Sequence, residues 1–245
     1  MTRPTGAFRS ADISVIITVF DNAPTIGEAI ESVLRQTRPP GEVLVIDDGS
    51  TDGSGEVARS FGDRVRVVRQ ENRGISASRN RGVVETRGPL LASIDADDRW
   101  APGKLERQLP LLVDGVEAVS CHIAQVQDAD WRRVVHEGVA PAMVMRGSLW
   151  ETLLIRRDAF LRVGGFDETY RIAEQVDWLT RAADVGLRLV TVEEPLVYRR
   201  LHAQNHGIRQ RAHRAEYVRA VHAALQRRRT AAGPAEAAAD ETETG

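Results

Sequence analysis

Residues 90–98 read Leu-Leu-Ala-Ser-Ile-Asp-Ala-Asp-Asp, an apolar run that breaks off in carboxylates. A short apolar run bounded in this way predicts a buried strand over 90–94, closed by Asp95. Alternate residues of an extended chain point to one side, so Asp95 and Asp97 are expected to present two carboxylates together. The pattern recurs upstream. Residues 13–20 read as a strand, and Pro24 then sits near the start of a helix whose Ile26, Ile30, Val33 and Leu34 share a face. Residues 43–46 form a second strand that opens into the turn-rich Asp47-Asp48-Gly49-Ser50-Thr51-Asp52-Gly53 and a short helix around Val57 and Phe61. Residues 65–68 form a third, followed by a turn at Gly74 and a helix to Thr86. Apolar strands separated by helices predict an α/β fold with a parallel sheet covered on both faces. Ligands of such sheets bind beyond the carboxyl ends of the strands, where the polar clusters fall.

The second half reads differently. Strands are expected over 116–123, 131–136 and 149–155, with a loop over 138–147 and a break at Gly164-Gly165 before Phe166-Asp167-Glu168. A helix over 174–185 is closed by Gly186, as helix C-termini favour. Strands over 187–192 and 196–199 flank Pro195, and a last helix spans about 210–228. There Tyr217, Val218, Val221 and Leu225 form a narrow stripe among arginines. Such a stripe is expected to pack on the domain's own sheet, although its arginines suit an anionic acceptor or membrane surface. The alanine-rich acidic segment 230–245 has no periodicity and is expected to be disordered, as is a flexible N-terminus over 1–11. This leaves one domain over 12–229, divided into 12–115, 116–206 and the helix of 207–229.

Composition narrows the function classes. The 245 residues carry 33 basic and 35 acidic side chains, a net charge of -2, which gives no field for nucleic acid. Lys104 is the single lysine among arginines, and the lone Cys121 can form no internal disulfide, which fits a reducing, cytoplasmic setting. The run 13–20 is too short to span a bilayer, so membrane contact is expected to be peripheral at most, at the inner face.

The strand ends carry the chemistry. Paired hard oxygen ligands such as Asp95 and Asp97 suit Mg2+ or Mn2+, ions that commonly complete their shell with substrate phosphates. A nucleotide diphosphate is the natural third party. A carboxylate in Asp47-Asp48-Gly49-Ser50 can accept from a base N–H or a ribose hydroxyl, and the glycine lets a ligand approach the backbone. Thr18 and Phe20 end the first strand, where Phe20 can pack on a base; Arg73 follows the third and can reach a base or phosphate. Each piece also has a plain structural reading: an acidic turn with Asp98 capping the next helix, ordinary turn chemistry, a core aromatic. Clusters at four strand ends together point to one nucleotide crevice.

The order Thr18-Val19-Phe20-Asp21-Asn22, Asp47 to Asp52, Asn72-Arg73-Gly74 with Ala77 to Asn80, Asp95-Ala96-Asp97-Asp98, Gly164 to Glu168 and Glu174-Gln175-x-Asp177 resembles the inverting family 2 glycosyltransferases of GT-A fold. The resemblance runs from Ile13 to about Asn205. It implies a single domain with a mostly parallel central sheet, a nucleotide-sugar half and an acceptor half. It implies that Thr18, Phe20, Asp47, Asp48 and Arg73 hold the nucleoside of a donor, with a UDP-sugar expected. Asp95 and Asp97 become the metal and diphosphate motif, with Asp98 competing for the second role, and His202, or His206 behind it, completes the shell around Mn2+ or Mg2+. The acceptor side is expected around 138–147, Trp150, Phe166 and Tyr170, and the acceptor remains open among sugars, lipid-linked sugars, small molecules and peptides.

One departure stands out. Members of the family carry Glu-Asp where this chain has Glu174-Gln175, and that Asp is the general base. An amide cannot take the proton, and base catalysis is worth roughly 10²- to 10⁴-fold. Glu174 and Asp177 are the candidate substitutes; three apart on a helix, they share a face that Gln175 leaves. Their plain reading is helix capping and an ion pair from Asp177 to Arg181. The rival functions are a nucleotide-sugar or glycan-binding domain with lost turnover, favoured by Gln175, and a nucleotidyltransferase, disfavoured by the lack of a glycine-rich basic signature over 13–24. A dinucleotide dehydrogenase fails because no G-x-G-x-x-G follows the first strand.

Overall fold

The computed structural model describes residues 8–147, 149–203, 205 and 211–236. In chain order the elements are β1 (Ile13–Val19), α1 (Ala23–Leu34), β2 (Glu42–Asp47), α2 (Ser54–Arg59), β3 (Arg66–Arg69), α3 (Ile75–Glu85), β4 (Leu90–Asp95), β5 (Arg99–Trp100) and α4 (Lys104–Gln108). There follow β6 (Ala118–Gln127), α5 (Trp131–Val135), β7 (Met143–Met145), β8 (Leu154–Arg156), α6 (Arg157–Val163), α7 (Glu174–Asp184), β9 (Leu189–Leu201) and α8 (Ala215–Glu236).

All strands join one sheet in the order β3-β2-β1-β4-β8-β6-β9-β5, with β7 paired to β6. The first four are parallel, β8 runs antiparallel to both β4 and β6, and β6 and β9 are again parallel. Strands β1, β2 and β4 are buried along nearly their whole length, which is why they read as unbroken apolar runs rather than alternating ones. The chain leaves β1 toward β2 and β3, then returns to place β4 on the other side of β1. This reversal creates a crevice at the carboxyl ends of those strands. Register aligns Thr18 of β1 with Ile46 of β2 and Asp95 of β4 across it.

Each face of the sheet is closed by helices. Ile26, Ile30 and Val33 of α1 pack with Ala58 of α2 and Leu105 of α4 on one face. On the other, Val83 of α3, Phe160 of α6 and Trp178 of α7 meet Trp150 and Phe166. Trp178 stacks on Phe160 at 5.5 Å and donates from Nε1 to the Gly164 carbonyl at 2.9 Å, fixing α7 against the Gly164-Gly165 turn. Trp150 and Phe166, expected on the acceptor side, are therefore core residues, each 3% exposed.

Several elements differ from expectation. Residues 131–135 are helical, because Trp131 and Val134 bury one face at a spacing of three and Asp128 and Asp130 lead into the turn. The expected loop over 138–147 contains β7, an exposed strand on β6. The expected strand over 149–155 is a 3-10 turn at Trp150–Thr152 followed by the short β8. The strands expected over 187–192 and 196–199 merge into one, β9, from Leu189 to Leu201, in which Val192 faces Cys121 and Pro195 already faces His122. Glu193 and Glu194 bulge out of the ladder there, and a bulge is where a residue lacking an N–H is tolerated. Phe8, in the segment expected to be flexible, packs on the core, with Arg156 5.2 Å from its ring. Helix α8 starts later than expected and continues through Glu236, into the segment expected to be disordered. No helix of the described residues is long and apolar enough to cross a membrane.

Candidate active site

A cavity of about 530 Å³ opens at the strand ends, lined by Thr18, Phe20, Asp48, Arg73, Asp95, Asp97 and Asp98 together with Glu168, Tyr170, Arg171, Arg199 and Asn205. Thr18, Phe20, Asp48, Arg73, Asp95 and Asp97 were expected from sequence, and the fold brings them to one hollow. Phe20 stands 38% exposed at its rim, open to stacking.

Asp48 builds part of this wall. Its Oδ1 accepts from Gln70 Nε2 at 2.7 Å and from Arg73 N at 2.9 Å, and its Oδ2 from Gly74 N at 2.8 Å, which folds the 72–74 loop over the cavity. Gly49 adopts φ +86°, and a Cβ there would stand 3.1 Å from Asn72 N, so the turn needs glycine. Arg73 then reaches Glu168 at 3.1 Å. Asp47, expected to touch the nucleoside, does not line the cavity: it is fully buried, accepting from Ser50 N at 2.8 Å and from Arg69 Nη1 at 3.1 Å. Its carboxylate ends β2 pointing inward, where it shapes the turn.

The acidic end is held by a network that sequence reasoning missed. Arg79 of α3, completely buried, donates to Asp95 at 3.1 Å and to Glu174 at 2.8 Å. Burial alone would lower its pKa, but Asp95 and Glu174 outweigh that and raise it. Asp97 Oδ2 meets His202 Nε2 at 3.0 Å and accepts from Asn205 Nδ2 at 3.2 Å, and Asp98 accepts from Arg200 N at 3.1 Å. His206 lies outside the described residues. Glu151, 2% exposed, brings a carboxylate oxygen within 4.8 Å of one from Asp95 and one from Asp98. Burial and the Asp95 charge push Glu151 up to about 7, and burial with Asp97, Asp95 and Glu151 nearby raises Asp98 well above the usual carboxylate range. Burial opposes the charge of Arg199, yet Glu151 and Asp98 hold its pKa up. Glu151 Oε2 has no hydrogen-bond partner among the described residues. Asp95, Asp97, Asp98, Glu151 and Glu174 set five carboxyl groups against Arg79 and Arg199, and a divalent cation with hard oxygen ligands would offset their charge and hold Glu151 and Asp98 ionised. The residues fit such an ion. Glu151 had one visible signal, an acid inside the apolar run 149–155, whereas Arg79 had none beyond its place in the Ala77 to Asn80 segment.

The candidate bases are placed away from the hollow. Neither Glu174 nor Asp177 lines it. Glu174 is buried on Arg79, and Asp177 is buried between Arg181 Nε at 2.8 Å and Arg227 Nη1 at 3.5 Å. Asp177 thus takes the plain reading, since Arg181 also binds the carbonyls of Val163 and Gly165 and ties α7 to the preceding turn. Gln175 Oε1 accepts from Trp150 N at 2.9 Å.

A mixed sheet with an aspartate pair at its switch point and a nucleotide-sized hollow defines an α/β protein of GT-A type. Residues 14–175 match glycosyl transferase family 2, and the chain belongs to that family. It is similar to the succinoglycan biosynthesis protein ExoU of Rhizobium meliloti, with 34% identity over 200 residues, 72% of this chain and 58% of that protein. Glycosyltransferase AglE of Haloferax volcanii is 30% identical over 194 residues, 72% of this chain and 63% of its own length. The chain thus spans about three fifths of these relatives, 58% and 63%. Among solved structures, mannosyltransferase PcManGT of Pyrobaculum calidifontis, in complex with GDP-Man and Mn2+, has a TM-score of 0.65 at 23% identity, covering 88% of this chain and 65% of that one. S. aureus TarS 1-349 with UDP-GlcNAc also has a TM-score of 0.65, at 19% identity over 79% of this chain and 60% of that one.

Proposed function

We propose that residues 12–229 form one catalytic domain that transfers a sugar from a nucleotide-diphosphate sugar to an acceptor, with inversion at the anomeric carbon and with Mn2+ or Mg2+ as cofactor. The observation that carries this is the convergence of Thr18, Asp48, Arg73, Asp95 and Asp97 on one hollow at the sheet's switch point. Thr18 and Asp48 line the nucleoside end and Phe20 offers a stacking face. Arg73 and Arg199 face the diphosphate. Asp95, Asp97 and His202 would hold the ion, with Asp98 and Glu151 adding charge behind them. A divalent ion bound there offsets negative charge that builds on the leaving diphosphate. The acceptor hydroxyl would attack the anomeric carbon from the side of Glu168, Tyr170 and Arg171 as the bond to the diphosphate breaks, and Glu168 is the carboxylate on that side that could take its proton. The solved relatives bind donors with different bases, GDP-Man and UDP-GlcNAc. We take UDP as the nucleotide here, and comparing UDP with GDP by thermal shift decides it.

The test is donor turnover. Asp97→Ala, or a chelator, is expected to abolish Mn2+-dependent transfer and donor hydrolysis; full activity in either case overturns the metal assignment. The second reading, a donor-binding domain with weak turnover, is favoured by Gln175 and by the arginines that hold Glu174 and Asp177. Calorimetric donor binding with no transfer across a broad acceptor panel supports it instead.

A further inference from the structure

Helix α8 turns its small residues inward and its large ones outward. Ala220 and Ala224 are buried, while Val218, Val221 and Leu225 are 72, 48 and 51% exposed. The apolar stripe that the sequence led one to expect on the sheet is therefore open to solvent at Val218 and half-exposed at Tyr217, Val221 and Leu225. At about 100° per residue, Tyr217, Val218, Val221 and Leu225 fall within roughly 100° of arc. Between 211 and 229 the sequence holds six arginines and one acid, Glu216. Glu216 is turned inward, accepting from Arg171 N at 2.7 Å and Ile172 N at 3.1 Å, and so takes no charge from the outer face. Arg227 and Arg228 bind Asp184, but Arg214 and Arg229 are exposed and make no ion pair among the described residues.

An outward arc of apolar side chains set among unpaired arginines is the pattern of a helix lying in a bilayer interface rather than spanning it. We propose that this face of α8 docks on an anionic lipid surface. The charge argues for lipid over a second copy of the chain, because a two-fold contact would set the same arginines against each other. The helix is also tied to the wall of the hollow. Glu216 holds the backbone at Arg171 and Ile172, and Arg219 lies 4.3 Å from the Tyr170 ring and donates to the Thr169 carbonyl at 3.2 Å. Docking therefore sets the Tyr170-Arg171 wall near the headgroups. If the transferase reading holds, on which this last step rests, the acceptor it serves is carried by a lipid.

Flotation of the full chain with vesicles tests the docking directly. Wild type is expected to float with phosphatidylcholine vesicles containing phosphatidylglycerol, to remain behind with phosphatidylcholine alone, and to be released by raised salt. Val218→Ser/Val221→Ser/Leu225→Ser and Arg214→Glu/Arg229→Glu should each lower partitioning by at least about tenfold. Their melting temperatures and UDP-induced thermal shifts should be unchanged, which separates a lost surface from a lost fold or donor site. Equal flotation of the triple variant, or none for wild type, overturns the proposal. So does a wild-type dimer that the triple variant converts to monomer without any vesicle binding, which would make a second copy the occupant. Loss of docking with donor binding intact leaves the transferase reading standing, and loss of donor binding with docking intact does the reverse.

Discussion

Gln175 sits beside a carboxylate that is already committed. Glu174 Oε1 accepts from the buried Arg79 at 2.8 Å, and freeing it would leave that guanidinium with Asp95 as its remaining carboxylate among the described residues. Gln175→Asp should therefore raise kcat, by roughly 10²- to 10⁴-fold if a base is restored, with little change in donor affinity, as read by product formation under saturating donor. No change in that variant, coupled to loss of turnover in Glu174→Gln with donor binding preserved, would instead make Glu174 the base. The two kinds of residue also differ in legibility. Asp48, Asp95 and Asp97 could be placed at the hollow from sequence because each closes or follows an apolar run, and the hollow opens where the buried strands end. Arg79 was not, because its meaning lies in a partner 95 positions away. Asp47 misled for a related reason: it ends its strand like Asp95, but Arg69 from the neighbouring strand claims it.

Helix α4 carries a charge where its environment least favours one. Lys104 is fully buried, 4.0 Å from the Trp100 ring and 2.9 Å from Gln108 Oε1, and burial pushes its amine down to about 8. In the unfolded chain the same group titrates near about 10.4. Below about 8 both states are charged and the penalty is complete; between the two values only the unfolded state holds the proton, so stability rises with pH. Compared with Lys104→Met, wild type should gain at most about 3 kcal/mol as the pH climbs through that window. Urea melts of both proteins at about pH 7 and about pH 10 measure it; a constant difference would show that the folded amine keeps its proton across that range, as the unfolded one does. At this scale sequence reading did well where a helix or strand has one buried face, as in α1. It failed where context decides, as in α5, whose five residues carry aromatic and β-branched types that suit a strand equally.

Across the whole molecule, the sheet that forms the donor hollow continues without interruption through the strands that carry Arg199 and the segment leading to His202. Ligand binding at that seam should stabilise all of it as a unit. Nucleoside diphosphate with Mn2+ at about 100 times its Kd should add about 2.7 kcal/mol, a rise in melting temperature of about 5–10 °C. A chelator should remove that rise, and an equal shift without metal would separate nucleotide from ion binding. The bulge at Glu193 and Glu194 governs how such a molecule tolerates change in chain length. Both residues stand outside the ladder, paired among the described residues with Arg146 and Arg107 at the surface, so one more residue there would be absorbed in the bulge. The same insertion between Val197 and Arg199, where the ladder is regular again, would turn every following side chain to the opposite face and swing Arg199 out of the hollow. Length is thus free around Pro195 and fixed from Val197 onward.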